Sequence, residues 1–491
     1  MQTYFWQNPK FDRNIMELEN LIANYYGTLL VVLYAIIAGW AVAHALLFKT
    51  NSRAALGWIG LIILFPLAGS LLYLIFGINR VRRKAQRGSP AEHPWTEQGS
   101  LPELTGAPPT TDRLENVGWR ITGQMPTTRN SVKALINGEE AYPAMLRSIQ
   151  GATKEILLAT YIFDNDHTGK TFVTACKEAV ERGVQVRVLI DDVGRRYSCP
   201  SIVRRLRKSQ IEFRRFMPLT LFPPSLSLNL RNHRKLLIID NITGFAGGMN
   251  ISDRQLVQGA SRHRAADLHF QLTGTVVPEL RALFEADWRA SGGDSIGAVQ
   301  RSTTSVEGGV CRCRVVADGP DENLDHLARL IEAVASVACD RIRILTPYFL
   351  PHAQLTGALI SAAVRGVNVA IVIPARNNWP PVRWALNHHL YELLSAGVRV
   401  LEQPPPFDHS KCLLIDDEYA LIGSSNLDPR SLRLNFELGI EVFSSELNSA
   451  LSAYVDSILG RALEIKKDDI LNRTTLVRLR DAIAALFSPY L

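Results

Sequence analysis

The sequence predicts an α/β protein built twice over, set behind a pair of apolar membrane-crossing helices. Three observations predict it. Two long apolar runs lie near the N-terminus, a strand–helix–strand pattern occurs twice further on, and each copy of that pattern closes on the same charged motif. At 491 residues the chain exceeds one ordinary hydrophobic core. Its net charge of +7 suits a partner presenting rows of phosphates, which describes nucleic acid and an anionic bilayer equally well.

The apolar runs cover residues 28–48 and 54–78, with a polar link from Lys49 to Arg53 between them. Each is long enough to cross the roughly 30 Å hydrocarbon layer as a helix. Neither has a polar face, and Tyr25, Tyr26 and Tyr73 sit near the ends, where aromatic rings favour the interface. Glu17 and Glu19 ahead of the first run argue against a cleaved signal peptide. Pro66 is expected to kink the second span, with packing and Ser70 relieving the freed backbone groups. Basic residues crowd the far flank (Arg80, Arg82, Arg83, Lys84, Arg87) and the near one (Lys10, Arg13), whereas the link carries only Lys49 and Arg53. That bias places both termini in the cytoplasm. Residues 88–111, rich in Pro, Gly, Ser, Thr and Glu, predict a tether.

Beyond the tether the chain repeats itself. Residues 156–161 (ILLATY), a helical run over 170–182, Gly183 and VQVRVLID are echoed by 342–348 (IRILTPY), a helical run over 355–365, Gly366 and VNVAIVIP. Short β-branched runs separated by helices of this length predict parallel βαβ units with helices on both faces. Asn137-Gly138 reads as a tight turn ahead of the first unit. The six cysteines (176, 199, 311, 313, 339, 412) form no CxxC pair and no zinc spacing, so they read as structural thiols and no metal is expected. Cys311 and Cys313, alternating with Arg312 and Arg314, read as a strand.

Each repeat ends on HxKxxxxD, as His233, Lys235 and Asp240 in the first and His409, Lys411 and Asp416 in the second. Asn250 then follows His233, and Asn426 follows His409, at the same interval of seventeen residues. The apolar run behind each pair reads as a strand whose alternation puts the histidine and lysine on one face, with the aspartate at opposite parity near the turn. Two imidazoles and two ammonium groups brought together, with amide donors from Asn250 and Asn426, would surround one phosphodiester. Phosphoryl transfer is mostly positioning and charge stabilisation, so two fixed lysines can serve it without a metal or other cofactor. An imidazole has a pKa near ~6.5, which lets one attack as the free base while the other delivers a proton.

With these motifs, and with TPYFLP at 346–351, AAVRGV at 362–367 and SSNLDPRS at 424–431, the sequence resembles the phospholipase D superfamily and within it the bacterial cardiolipin synthases. The likeness runs from the membrane hairpin to the C-terminus. It implies two pseudo-twofold-related phospholipase D-like α/β/α domains behind a transmembrane hairpin, partitioned as 1–27, 28–80 (two spans), 81–115 (basic flank and linker), 116–300 (first domain) and 301–491 (second domain with a C-terminal helix). It implies phosphatidyl transfer between two phosphatidylglycerol molecules, giving cardiolipin and glycerol through a phosphohistidine, at the inner membrane with the catalytic body on the cytoplasmic side. By the resemblance His233 is the nucleophile and His409 the general acid and then base, with Asp240 and Asp416 part of the motif. Asp267 and Glu437 stand where orienting acids are expected. Gly248 departs from the family pattern, which places there the serine that Ser424 supplies in the second copy. A phospholipase D-type hydrolase and a transferase drawing on phosphatidylethanolamine share this chemistry and stay open, because acceptor choice depends on pocket shape. The membrane hairpin argues against a nuclease, so no nucleic acid partner is expected, and two intact His/Lys sets argue against a lipid-binding scaffold. Leu476, Leu479, Ile483, Leu486 and Phe487 recur at helical spacing and predict a C-terminal helix packed on the body. No feature of the sequence specifies an oligomeric state.

Overall fold

The N-terminal apolar runs fold as helices of unequal length. The computed structural model describes residues 9–49, 52–77, 110–218, 230–297, 309–321 and 323–488. Helix Pro9–Phe48 carries a 25-residue apolar stretch, Asn24–Phe48, and among the described residues it alone is long and apolar enough to cross a membrane. The second run is broken rather than kinked. Helix Ser52–Leu64 ends before Pro66, whose ring cannot continue the preceding turn, and Pro66–Leu72 starts afresh. Gly69 permits the break, because a Cβ there would lie 2.4 Å from the Leu61 carbonyl. Ser70 does not provide the expected relief: its hydroxyl is buried and has no partner among the described residues. Ile62 and Tyr73 pack on Ala41 and Ala45 of the first helix. The basic residues 80–87 and the tether up to 109 lie outside the described residues.

The remaining chain forms a separate unit built on one mixed sheet. The first half supplies β1 (Thr127–Ile136), β2 (Glu155–Thr160), β3 (Gln185–Asp191), β4 (Glu212–Phe216), β5 (Leu236–Ile239), β6 (Thr243–Gly247), β7 (Ala265–Ala266) and β8 (Leu268–Thr273). The second supplies β9 (Cys311–Asp318), β10 (Arg341–Leu345), β11 (Asn368–Pro374), β12 (Arg399–Gln403), β13 (Phe407–Asp408), β14 (Cys412–Ile415), β15 (Tyr419–Gly423), β16 (Glu437–Phe443) and β17 (Leu463–Glu464). Strands run β1-β8-β6-β5-β2-β3-β4 through one half and β9-β16-β15-β14-β10-β11-β12-β17 through the other, and β1 pairs antiparallel with β9. The parallel βαβ units are present as β2/β3 and β10/β11, with Ile156 opposite Val186 and Ile342 opposite Val369. Their connecting helices are His167–Glu181 and Ala353–Val364.

The two halves share a core. Helices Val277–Ala290 and Ser445–Leu459 bring Phe284, Trp288, Leu451 and Val455 onto a face that also includes Leu157, Leu236, Leu414 and Val442. Other helices cover the first half around Phe172 and Ile190 and the second around Ile331 and Leu359. Cys311 and Cys313 lie on β9 as expected of a strand, and all six cysteines are free thiols. Asn137-Gly138 is no hairpin turn. It opens helix Asn137–Gln150, with Asn137 at φ +57° and its side chain accepting the Asp267 N–H at 3.0 Å. Helix Thr110–Thr122 spans the expected linker boundary and packs Leu114 and Ile121 into the second half's core. The C-terminal helix Thr475–Leu486 is packed on one side only. Ala484 is buried beside Ala385, whereas Leu476, Leu479, Ile483, Leu486 and Phe487 are exposed.

Candidate active site

Each motif histidine is held by the opposite half of the chain. The His233 N–H donates to the Phe436 carbonyl at 2.9 Å and the His409 N–H to the Ala266 carbonyl at 2.7 Å. These bonds extend two short parallel pairings, Asn232 with Phe436 and β13 with β7. The motif residues therefore precede β5 and β14, instead of lying within those strands as the alternation suggested. The crossing sets Glu437 against His233, with Nδ1 3.1 Å from Oε1, and Asp267 against His409, with Nδ1 2.9 Å from Oδ2. Both acids are completely buried.

The two imidazoles face different partners. His233 Nδ1 meets the Glu437 carboxylate and the Ser424 carbonyl at 3.2 Å, both acceptors, so this nitrogen carries the proton and Nε2 keeps its lone pair. His409 Nδ1 meets the Lys411 ammonium at 3.0 Å as well as Asp267. An ammonium only donates, so in that contact Nδ1 acts as the acceptor, with the Asp267 carboxyl as its second neighbour. The ammonium groups also donate to the main-chain carbonyls of their own motif histidines, Lys235 to His233 at 2.5 Å and Lys411 to His409.

Burial and crowded cations set the charges. Burial lowers His233 below the usual imidazole value, with Lys235 and Lys411 adding to the effect and Glu437 opposing it. His409 is pushed well below that value, first by burial and then by Lys411, Lys235 and His233. Burial likewise brings Lys235 down to about 7 and Lys411 to about 8, against the pull of the two acids. The acids diverge. Burial lifts Asp267 to about 8 despite Lys411, whereas at Glu437 the same burial is more than offset by His233, Lys235 and the Ser424 hydroxyl, holding it below the usual carboxylate range.

Asp240 and Asp416 do not join this cluster. Each sits at the far end of its strand with φ near +50° (+54° and +48°) and caps the start of the neighbouring strand. Asp240 accepts from the N–H groups of Thr153, Lys154 and Glu155 at 2.7–2.9 Å, and Asp416 from those of Cys339, Asp340 and Arg341 at 2.8–3.0 Å. A strand separates them from the imidazoles, so their place in the motif is structural. Ser424 is also committed: its hydroxyl donates to Glu437 Oε2 at 2.5 Å and accepts the Leu438 N–H at 2.9 Å. Asn250 Oδ1 accepts the Ile162 N–H at 3.1 Å, and Asn426 Oδ1 is buried without a partner among the described residues.

Other side chains support the two pairs. The Tyr161 ring stands edge-on to His233 at 5.0 Å, with Lys235 Nζ 5.6 Å from its centre. Buried Arg234 ties the halves together, donating to Asp287 Oδ1 at 2.5 Å, the Glu437 carbonyl at 2.9 Å and the Asp318 carbonyl at 3.0 Å. Arg234 stands inside the motif and so was visible in the sequence. Asp287, a lone acid on a helix, offered nothing to distinguish it. No group of side chains suited to hold a metal occurs among the described residues.

Two histidine/lysine pairs facing one another across a repeated α/β body define a phospholipase D-like protein. The family model described as "Cardiolipin synthase, PLD-like domain" matches residues 145–288 and again 330–459, and the chain belongs to that family. A second model, a phospholipase D-nuclease N-terminal region, matches residues 36–77. The chain is 31% identical to the major cardiolipin synthase ClsA of Bacillus subtilis, over 91% of this chain and 96% of that one. It is 29% identical to cardiolipin synthase A of Pseudomonas syringae, over 95% and 98%. Its fold is similar to that of the phosphatidylserine synthase of Haemophilus influenzae, with a TM-score of 0.59 at 16% identity, over 78% of this chain and all of the other.

Proposed function

We propose that this chain is a cardiolipin synthase, transferring a phosphatidyl group from one phosphatidylglycerol to another with release of glycerol. The observation that carries the assignment of roles is the difference between the two Nδ1 atoms, which meet acceptors alone at His233 and an ammonium beside the acid at His409. His233 Nε2, with its lone pair free and an ionised Glu437 behind it, attacks phosphorus. The N–P bond forms as the P–O bond to glycerol breaks, and the departing oxygen takes the Nε2 proton of His409. The Asp267 proton passes to His409 Nδ1 in the same step, so that this pair stays uncharged on the imidazole. In the second step the hydroxyl oxygen of a second phosphatidylglycerol bonds phosphorus as the P–N bond breaks; its proton goes to His409 Nε2, and His409 Nδ1 returns its own proton to Asp267. Lys235, Lys411, Asn250 and Asn426 stabilise the phosphoryl oxygens. Hydrolysis, or transfer from phosphatidylethanolamine, has no observation in its favour.

The matching strand orders of the two halves and their antiparallel junction support a pseudo-twofold axis through the site. The apolar helix and the broken second run support a two-span anchor in the bacterial inner membrane. The basic flanks favour a cytoplasmic body. The test is direct. Full-length protein in detergent is given phosphatidylglycerol, and the expected products are cardiolipin and glycerol in equal amounts, with His233→Ala slower by about 10⁴-fold or more. Unchanged lipid with the wild-type protein overturns the proposal.

A further inference from the structure

A cavity of about 870 Å³ opens beside His409 and Asn250 and leads out to a rim of arginines. Two of these are already engaged: Arg254 lies 3.8 Å from Asp164 and Arg264 donates to the Val257 carbonyl at 3.1 Å. Arg262 and Arg376 are exposed and make no hydrogen bond or ion pair among the described residues. The carboxylate in the wall, Asp164, faces Arg254 and also accepts the hydroxyls of Ser198 and Ser252. Deeper in, Gln403 is 2% exposed. Its amide bonds to Asp408, and its Oε1 has no partner among the described residues.

The proposed reaction places demands on this space. The attacking hydroxyl must meet His409 Nε2, and the other end of the same three-carbon glycerol carries the acceptor's own phosphodiester. A second anion therefore has to lie one glycerol away from His409. We propose that the cavity is the acceptor subsite: Arg262 and Arg376 hold the phosphodiester of the second phosphatidylglycerol, and Gln403 Oε1 accepts the middle hydroxyl of its glycerol. This rests on the transferase reading above and deepens it. Water and free glycerol carry no phosphate for the arginines, so the subsite selects a lipid acceptor over both.

Two reactions of the full-length protein separate the halves of the cycle. Cardiolipin formation from phosphatidylglycerol vesicles needs the acceptor phosphate, whereas exchange of labelled glycerol into phosphatidylglycerol needs only the donor and a free alcohol. In the Arg262→Ala/Arg376→Ala double variant, the ratio of cardiolipin formation to glycerol exchange should fall about tenfold or more, the loss expected for charge-assisted hydrogen bonds. Restoring lysine at both positions should recover part of that ratio. A ratio equal to that of the wild type overturns the subsite, whether both rates fall together or neither changes. Wild-type protein that exchanges no glycerol overturns the transferase reading itself, and the subsite with it.

Discussion

The two copies of the site are built on corresponding strands and differ in what stands behind each imidazole. Behind His233 stand Glu437 and Ser424, and behind His409 stand Asp267 and Gly248. In the second copy the Leu438 N–H is satisfied by the Ser424 hydroxyl, which also bonds Glu437. In the first copy the equivalent Leu268 N–H is satisfied by Asp267 Oδ1 itself, at 2.9 Å. No hydroxyl fits there, since a Cβ on Gly248 would lie 2.3 Å from that oxygen. The glycine that departs from the family pattern is therefore half of a paired change: a shorter acid takes over the missing serine's contact. The acid that keeps a hydroxyl donor is held below the usual carboxylate range, while the one without it is pushed up by burial to about 8.

The largest expected effect breaks the symmetry of the histidines. With a phosphodiester that has an activated leaving group, His409→Ala should still form the phosphohistidine, because departure then needs little protonation, while His233→Ala forms none. Trapping the labelled enzyme reads the difference, which should reach about 10⁴-fold. Equal trapping in both variants would erase the distinction drawn here.

A smaller effect lies in the pH profile. Lysines at about 7 and about 8 lose their charge as pH rises, so kcat/KM should fall through that window as the pocket stops attracting the diester. Ionised Glu437 favours the charge on Lys235, so Glu437→Gln should move this alkaline limb to lower pH. Asp267 supports the charge on Lys235 less than Glu437 does, so Asp267→Asn should move the limb less. A larger shift in the Asp267 variant would invert the comparison.

The smallest effect concerns the paired change itself. Gly248→Ser should cost stability, by about 1–3 kcal/mol for a side chain forced into occupied space. Ser424→Gly should cost a similar amount by stranding the Leu438 N–H and one donor to Glu437. Chemical denaturation measures both. Swapping both members of the first copy, Gly248→Ser with Asp267→Glu, should recover part of the loss. Additive losses in that double variant would show that the two positions are not coupled.

Much of this was legible in the chain alone. Hydrophobic periodicity gave the strand–helix–strand repeats, because alternation and helical spacing are local properties of the backbone. The motif spacing marked His233, Lys235, His409 and Lys411 because the same residues recur at the same interval. The motif aspartates share that recurrence, since a residue required to cap a neighbouring strand recurs as faithfully as one that touches substrate, and strand parity rather than spacing set them apart.

By itself the sequence determined the apolar anchor helix, the duplicated α/β body and the identity of the imidazole and ammonium groups, all consequences of residue type and local order. Only the tertiary structure decided that each acid serves the histidine of the other repeat and that Ser424 stands with Glu437 at His233. Those outcomes depend on which donors and acceptors are brought within about 3 Å, the reach of a hydrogen bond, by segments more than a hundred residues apart.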